Sequence, residues 1–547
     1  MRRLATSPRL PFIMLMAATA LLFLAGLGRL PLFGRDESLY AEAGREMLAT
    51  GDWITPRVNG GPFFEKPPLY YWLAAMSYRL VGVSPFAARL PAALMAILTV
   101  GLTALVGANV WGRRAGLLTG LCLATSLQMA TIGRMGIMDV PLTCFTVLAL
   151  LCYARWQRRG QLGAAVGFSI CAALAVLVKG MAGTIALGIA AIAYVVRVVR
   201  GTARPVSWLS AARAMVAIVV LVGLALPWFA SMGARHGEAF GTTLFIHEHL
   251  KRALHPMQGH GGPLIYYLVV IAVTFFPWVM FLPAAMISAH HDTDETKRFW
   301  GGLSIIWIAY VLVLFSFVRT KLPGYVTPLF PPMALLVGAE LDHRLDNPAR
   351  KPWIAAIGSA LGLAAALALL PRLADRLAVN AGAAEALPML TPPVLVWSGG
   401  YLVMVLGAAL ALVRRPYLGL AAMTAGQIFV LGAVLWGIFP LLSPYLEGGR
   451  ESRLAQMAQR RLPGARVVLY ETRPEAVAFV LQQSVPVFDG DHQDQLLTAL
   501  RAGPTALIAP TRDRPLWEHL SAREIGTVGD RVLLEVPPIK QPKEASP

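Results

Sequence analysis

About thirteen apolar runs, each near the roughly 20 residues a helix needs to cross a hydrocarbon core, recur along this chain and leave room for little else. They lie near 11–30, 88–109, 115–133, 138–156, 163–178, 180–197, 209–229, 264–287, 299–317, 324–341, 353–371, 391–413 and 417–440. Backbone in lipid must satisfy its own hydrogen bonds, so runs of this length fold as helices packed side by side. Composition agrees: 56% of the 547 residues are hydrophobic and 14% charged, with a mean hydropathy of +0.59, outside the soluble globular range. The expected fold is a polytopic α-helical membrane protein. The 11–30 run follows Arg2, Arg3 and Arg9 and exceeds the apolar length of a cleaved leader, so it reads as a retained first helix.

A net charge of +18 does not point to nucleic acid, because no separate basic domain carries it. Arg113/Arg114, Arg155/Arg158/Arg159, Arg197/Arg200/Arg204, Lys297/Arg298, Arg344/Arg350/Lys351 and Arg414/Arg415 fall in alternate loops on the same side as Arg2 and Arg3. Basic short loops mark the cytoplasmic side. The N-terminus is then cytoplasmic, and the segments 31–87 and 230–262, the 372–390 loop and everything after 448 face outward. Residues 1–447 form the membrane domain and 448–547 a soluble one. In the latter, 466–471, 485–488, 505–510 and 531–536 read as strands, alternating with helices near 474–484, 491–501 and 514–522. That pattern predicts a small α/β domain with a partly parallel sheet. No glycine-rich phosphate loop opens its helices, and the tail 537–547 reads as disordered. Cys122, Cys144, Cys152 and Cys171 sit in apolar runs without CxxC spacing, as small buried hydrophobes.

The stretch 34–72 interrupts this pattern with carboxylates, aromatics and Lys66. Helical spacing predicts short interfacial helices over 39–48 and 69–80, and Trp53, Phe63, Phe64, Tyr70, Tyr71 and Trp72 suit headgroup depth. Lys66, Arg134, Lys179, Arg252, Arg319 and Lys321 are cations on the outward side, against the usual bias. Each needs an anionic partner. Asp36, Glu37, Glu65 and Asp139 are nearby in sequence, as ion-pair partners or helix caps, but the cations as a group suit phosphate. Two acids, Asp36 and Asp139, in separate outer loops and each near a cation, favour one shared polar site over two caps. His247, Glu248 and His249 with Glu65 form the one candidate divalent-metal set. An i, i+2 histidine pair does not share a helical face, so a solvated loop competes with that reading.

The motifs RDESLYAEAGREML, GDWITPRVNGGPFFEKPPLYYW, RMGIMD and RTKLPGYVTPLFPP together resemble the GT-C membrane glycosyltransferases related to protein O-mannosyltransferases. Within these, the chain is most similar to the bacterial 4-amino-4-deoxy-L-arabinose transferases that modify lipid A. The resemblance runs from the first span to about residue 335 and, in layout, to the C-terminal domain. It implies an undecaprenyl-phosphate-linked sugar donor, a lipid A acceptor, polymyxin resistance as the outcome, and a monomer working at the periplasmic face of the bacterial inner membrane. It further implies Asp36 and Asp139 as key acids and Lys66 as a donor-phosphate ligand; Glu65, next to Lys66, is the third candidate catalytic acid. Lys66 would bind the donor phosphate with Arg252, Lys179, Lys321 and Arg134, while Arg35, Tyr40 and Tyr325 would contact substrate. No cofactor is required by this chemistry. A related transferase acting on a protein or glycan, and a lipid transporter, are the rival readings; transport predicts charges in mid-span, whereas these lie at outer ends.

Overall fold

The computed structural model describes residues 9–202, 208–255, 261–347, 350–377, 387–413, 415–513, 515, 517 and 520–538; Arg2, Arg3, the middle of the 372–390 loop and most of the tail therefore lie outside them. Helix α1 (Leu10–Leu24) is followed by a polar excursion. There α2 (Arg35–Thr50) and α3 (Leu69–Val81) flank a hairpin of β1 (Arg57–Val58) and β2 (Gly61–Pro62). Asn59 and Gly60, at φ of 54° and 82°, make the two-residue turn that strand twist favours. Then come α4 (Pro85–Trp111), α5 (Arg113–Thr125), α6 (Leu127–Ile132), α7 (Asp139–Arg159), α8 (Leu162–Lys179) and α9 (Ile185–Val199). The long α10 (Trp208–Gly241) runs into a π-helix, Thr242–Lys251, and a single turn α11 (Arg252–Leu254). The bundle closes with α12 (Tyr266–Thr274), α13 (Leu282–His290), α14 (Glu295–Phe317), α15 (Phe330–Asp346), α16 (Arg350–Leu377), α17 (Leu387–Leu412), α18 (Pro416–Gly432) and α19 (Phe439–Leu442).

Every apolar run of the sequence falls on a helix, yet fewer than thirteen cross by length and composition alone. Among the described residues seven helices qualify, or eight if Tyr266–Thr274 and Trp278–His290, bent by 108°, form one span. The difference has two causes. First, α1, α5 and α15 are 15, 13 and 17 residues long, since broken turns and charged ends shorten them. Second, the stretch Leu162–Val199 counts as one helix of 38 residues, about twice a bilayer's need. It reverses at a tight 3-10 turn, Gly180–Thr184. A Cβ on Gly183 would lie 2.3 Å from the Val176 nitrogen, a contact no straight helix permits. α8 then packs on α7 and α10, and α9 on α14.

Of the two helices expected at the interface, α3 leaves Met76, Leu80 and Val81 exposed, whereas α2 does not lie on the surface. α2 is buried from Glu37 to Met47, held between α3 and the C-terminal domain. That domain contains α20 (Gly449–Arg461), β3 (Arg466–Tyr470), α21 (Glu475–Leu481), β4 (Val487–Phe488), α22 (Gln493–Arg501), β5 (Thr505–Pro510), β6 (Arg523–Val528) and β7 (Arg531–Val536). The sheet order is β4-β3-β5-β7-β6, parallel through the first three strands and antiparallel through the last three. Side chains alternate across it: Val467 and Leu469 join Leu454 and Val477 on one face, while Val468 and Tyr470 join Leu496 and Trp517 on the other. The edge strand β6 carries few apolar residues and a register shift at Glu524/Gly526, so it gave no strand signal. The helix expected over 514–522 lies partly outside the described residues.

The domain grips the excursion at four points. Phe479 packs with Leu32, Ala41 and Tyr78, and Arg45 donates to the Gln482 carbonyl at 3.2 Å. Asn59 exchanges two hydrogen bonds with the Val485 backbone, at 2.9 and 2.7 Å. The Gly34 amide donates to the Glu447 carbonyl at 2.6 Å.

Candidate active site

The first turn of α2 sorts two adjacent acids into different jobs. Gly34 caps it at φ 82°, a conformation side chains resist. Glu37 is 0% exposed and fully engaged. Arg89 grips it bidentately, at 2.8 Å from both Nε and Nη2, and the Phe33 and Gly136 amides donate to it at 2.9 and 2.7 Å. Arg89 spends its remaining donors on the carbonyls of Leu27, Leu30 and Pro31. This buried, fully satisfied pair pins the start of α2 to α4 and to the turn before α7. Asp36, by contrast, is half-buried and makes no hydrogen bond or ion pair among the described residues. It is a carboxylate that the fold leaves free.

Around Asp36 stands a ring of charge. The Lys66 ammonium, 8% exposed, pairs with Glu248 and donates to the Glu65 carbonyl at 3.1 Å. Arg252 reaches Glu248 and the Tyr325 hydroxyl, each at 3.2 Å. Arg35 bonds the Glu65 carboxylate at 3.1 Å. Burial pulls the Lys66 pKa below its ordinary value, with Arg252 adding to the shift and Glu248 opposing it. Burial pushes Glu65 up, helped by the charge of Glu248 and opposed by Lys66 and Arg35. Tyr40 and Tyr71 are held well above the usual phenol range, chiefly by burial and then by the charges of Asp36 and Glu65. Both are therefore neutral hydroxyl donors, and the buried Tyr71 hydroxyl has no partner.

Asp139 opens α7 with Met138 in the capping position. Its carboxylate takes a hydrogen bond from Lys179 at 2.7 Å, and the Lys179 ammonium lies 4.9 Å from the centre of the Tyr325 ring. The reversal after α8 places Lys179 at this end of the bundle. Gly324 makes the contact feasible: a Cβ there would sit 3.0 Å from the Asp139 carboxyl carbon.

Two of the sequence-expected phosphate ligands stand elsewhere. Lys321 points its ammonium at the carbonyls of Phe315, Ser316 and Val318, at 3.2, 2.6 and 2.8 Å. Its three donors are thereby used at the C-terminal end of α14, and it acts as a helix cap. Arg134 bonds the carbonyls of Leu22 and Ala25 at the end of α1, 2.7 Å in the latter case, away from Lys66. For the metal set, Glu65 is engaged by Arg35, and His247 is exposed beside Lys251 at 3.5 Å. Among the described residues no three metal-ligating side chains come together; the His249 side chain lies outside them. The structure also supplies members that sequence reasoning missed. Glu248 entered only as a metal ligand, although a buried Lys66 demands a counter-charge; its position 182 residues away hid the pairing.

The comparisons bear on this arrangement. Residues 13–234 match the family model described as dolichyl-phosphate-mannose-protein mannosyltransferase. The crystal structure of ArnT from Cupriavidus metallidurans bound to undecaprenyl phosphate superposes with a TM-score of 0.80 at 24% identity, over 97% of this chain and 98% of that one. The chain has the fold of that structure. Among curated relatives, the undecaprenyl phosphate-alpha-4-amino-4-deoxy-L-arabinose arabinosyl transferase of Pectobacterium carotovorum is 33% identical over 63% of this chain. Transferase 2 of that name from Pseudomonas fluorescens is 29% identical over 62% of this chain. The chain spans 61% and 58% of the lengths of these two relatives.

Proposed function

We propose that this protein is a periplasm-facing inner-membrane transferase that moves 4-amino-4-deoxy-L-arabinose from undecaprenyl phosphate to a phosphate of lipid A. The observation that carries the reading is the unpaired Asp36 carboxylate beside a set of buried cations whose one counter-charge, Glu248, a phosphate can replace. Lys66 and Arg252 then hold the donor phosphate as a point charge and a planar fork. The bond from the sugar's anomeric carbon to the donor phosphate oxygen breaks, and both its electrons stay on that phosphate. Fixed cations stabilise the charge that develops there. An acceptor phosphate oxygen, already anionic, forms the new bond, so no strong base is required. Asp36 faces the cationic sugar, its oxocarbenium character or its ammonium. Arg35 and Tyr40 border Asp36 and suit sugar contacts, and the Lys179–Asp139 pair fixes the Tyr325 side of the cavity. A monomer suffices, since all these groups come from one chain. A divalent ion on Glu65, His247 and His249 is a separate proposal; transfer that survives exhaustive chelation removes it. The mannosyltransferase family match over 13–234 favours a second reading, with a protein acceptor whose hydroxyl Asp36 would deprotonate. Mass spectrometry of lipid A from cells with and without the protein decides: a pentosamine-sized addition supports the first reading, and unmodified lipid A with a glycosylated protein supports the second.

A further inference from the structure

Arg134, displaced from the phosphate cluster, belongs to a second feature on the same membrane face. A groove opens between the segment that follows α1 and the end of the last span, lined by Arg29, Arg89, Arg134, Phe33, Trp436 and Phe439 among others. Three guanidinium groups line it and no carboxylate does. Arg89 is neutralised by Glu37 and spent on carbonyls, but the other two are not. The exposed Arg29 side chain has no hydrogen bond or ion pair among the described residues. Arg134 uses two donors on carbonyls of the five a guanidinium offers, and has no acidic partner among the described residues. It stacks 5.6 Å from the centre of the Trp436 ring. Capping of α1 accounts for its two bonds; it leaves the remaining N–H groups and Arg29 without acceptors. Trp436, 46% exposed, has the amphipathic character of a residue at headgroup level.

We infer that this groove is a second lipid site, which takes the phosphate of an anionic lipid headgroup between Arg29 and Arg134 while the chain lies along Trp436 and Phe439. An acidic phosphate supplies the acceptors and charge the groove lacks; a zwitterionic headgroup brings its own cation and gains less. The inference is independent of the donor chemistry, because no group of the Lys66 cluster lines the groove.

The test is lipid binding to the purified full-length chain in neutral detergent, read by native mass spectrometry with phosphatidylglycerol, lipid A and phosphatidylcholine in separate titrations. Arg29→Gln is the primary variant, since its side chain makes no hydrogen bond or ion pair among the described residues; Arg29→Gln/Arg134→Gln is the second. The expected result is an affinity loss of about tenfold for the acidic lipids in the single variant and more in the double, a size typical of a lost charge-assisted contact. Phosphatidylcholine binding should not change. Loss for both acidic lipids identifies a general anionic-lipid site, and loss for lipid A alone identifies an acceptor subsite. Equal affinities of the wild-type and Arg29→Gln chains for both acidic lipids would overturn the inference.

Discussion

Replacing Glu248 by Gln separates what holds the cation cluster together from what binds the proposed donor. This carboxylate, with a side chain 6% exposed, neutralises Lys66 and Arg252, whose side chains are 10% and 12% exposed. Removing one member of a buried ion pair costs about 3–5 kcal/mol, because the stranded charge remains out of water. Glutamine can accept one hydrogen bond but supplies no charge, so the unliganded variant should be destabilised by an amount near the lower end of that range. Donor phosphate restores the missing charge. The wild-type protein must release Glu248 from both cations before phosphate can bind, and the variant need not. Undecaprenyl phosphate should therefore bind Glu248→Gln about tenfold or more tightly, which corresponds to about 1.4 kcal/mol per decade, and should raise its melting temperature more than it raises that of the wild type. Thermal unfolding in detergent with and without undecaprenyl phosphate reads both effects. If the variant melted normally when empty and bound the lipid more weakly, Glu248 would be a lipid ligand and the displacement argument would fail.

Four further outcomes are expected. Asp36→Asn should nearly abolish transfer while leaving melting and undecaprenyl phosphate binding unchanged, because the Asp36 side chain makes no hydrogen bond or ion pair among the described residues; near-normal turnover would remove it from the reaction. Lys66, lowered from its ordinary 10.5, carries a folding penalty that is present below its folded pKa and relieved as pH rises through the window up to 10.5. Phosphate favours its charged form, so undecaprenyl phosphate affinity should fall as pH rises through that window, and Lys66→Met should bind weakly with that slope gone; an identical slope in the variant excludes Lys66 as its source. Gly324→Ala should lower kcat by up to about a hundredfold, the cost of misplacing a reacting group by about 1 Å, with the fold intact, since its methyl presses on the Asp139 carboxylate; unchanged kcat would show that this contact has slack. Lys321→Met should loosen the end of α14 and slow transfer, and Lys321→Arg should restore most of it, with hydrogen exchange over 315–322 following activity; loss of undecaprenyl phosphate binding without change in exchange would return Lys321 to the phosphate.

The membrane class was legible in the sequence because lipid imposes one rule, a satisfied backbone over a fixed length, and that rule writes itself into composition. The span count was less legible. The runs 163–178 and 180–197 do fall on separate helices, and the contact of Gly183 with Ala175 and Val176 shows that the chain reverses between them; the shortfall lies in runs such as 115–133, which breaks into α5 and α6. The α/β pattern of the C-terminal domain came through where strands are buried on both faces, as β3 and β5 are, and failed at the edge strand β6.

Site residues divide along the same line. Asp36, Lys66, Asp139 and Lys179 stand out in sequence as charges at helix ends, and the fold brings them near Tyr325. What sequence could not distinguish is a cation held for a ligand from a cation spent on the backbone. Lys66 and Lys321 look alike as outward lysines ahead of prolines, but Lys66 faces a carboxylate that a phosphate can replace, whereas Lys321 faces three carbonyls of its own helix end. The same distinction separates Asp36 from Glu37. Their neighbours in sequence are the same, yet one is 0% exposed and saturated by Arg89, and the other is open. A one-residue shift along α2 turns a side chain by about 100°. Glu37 therefore faces the packed interior of α4, and Asp36 faces Tyr40, Glu65 and Arg252. The chemistry of the adjacent acids is set by that rotation, which Gly34, bonded to the Glu447 carbonyl just ahead of the C-terminal domain, fixes at the start of α2.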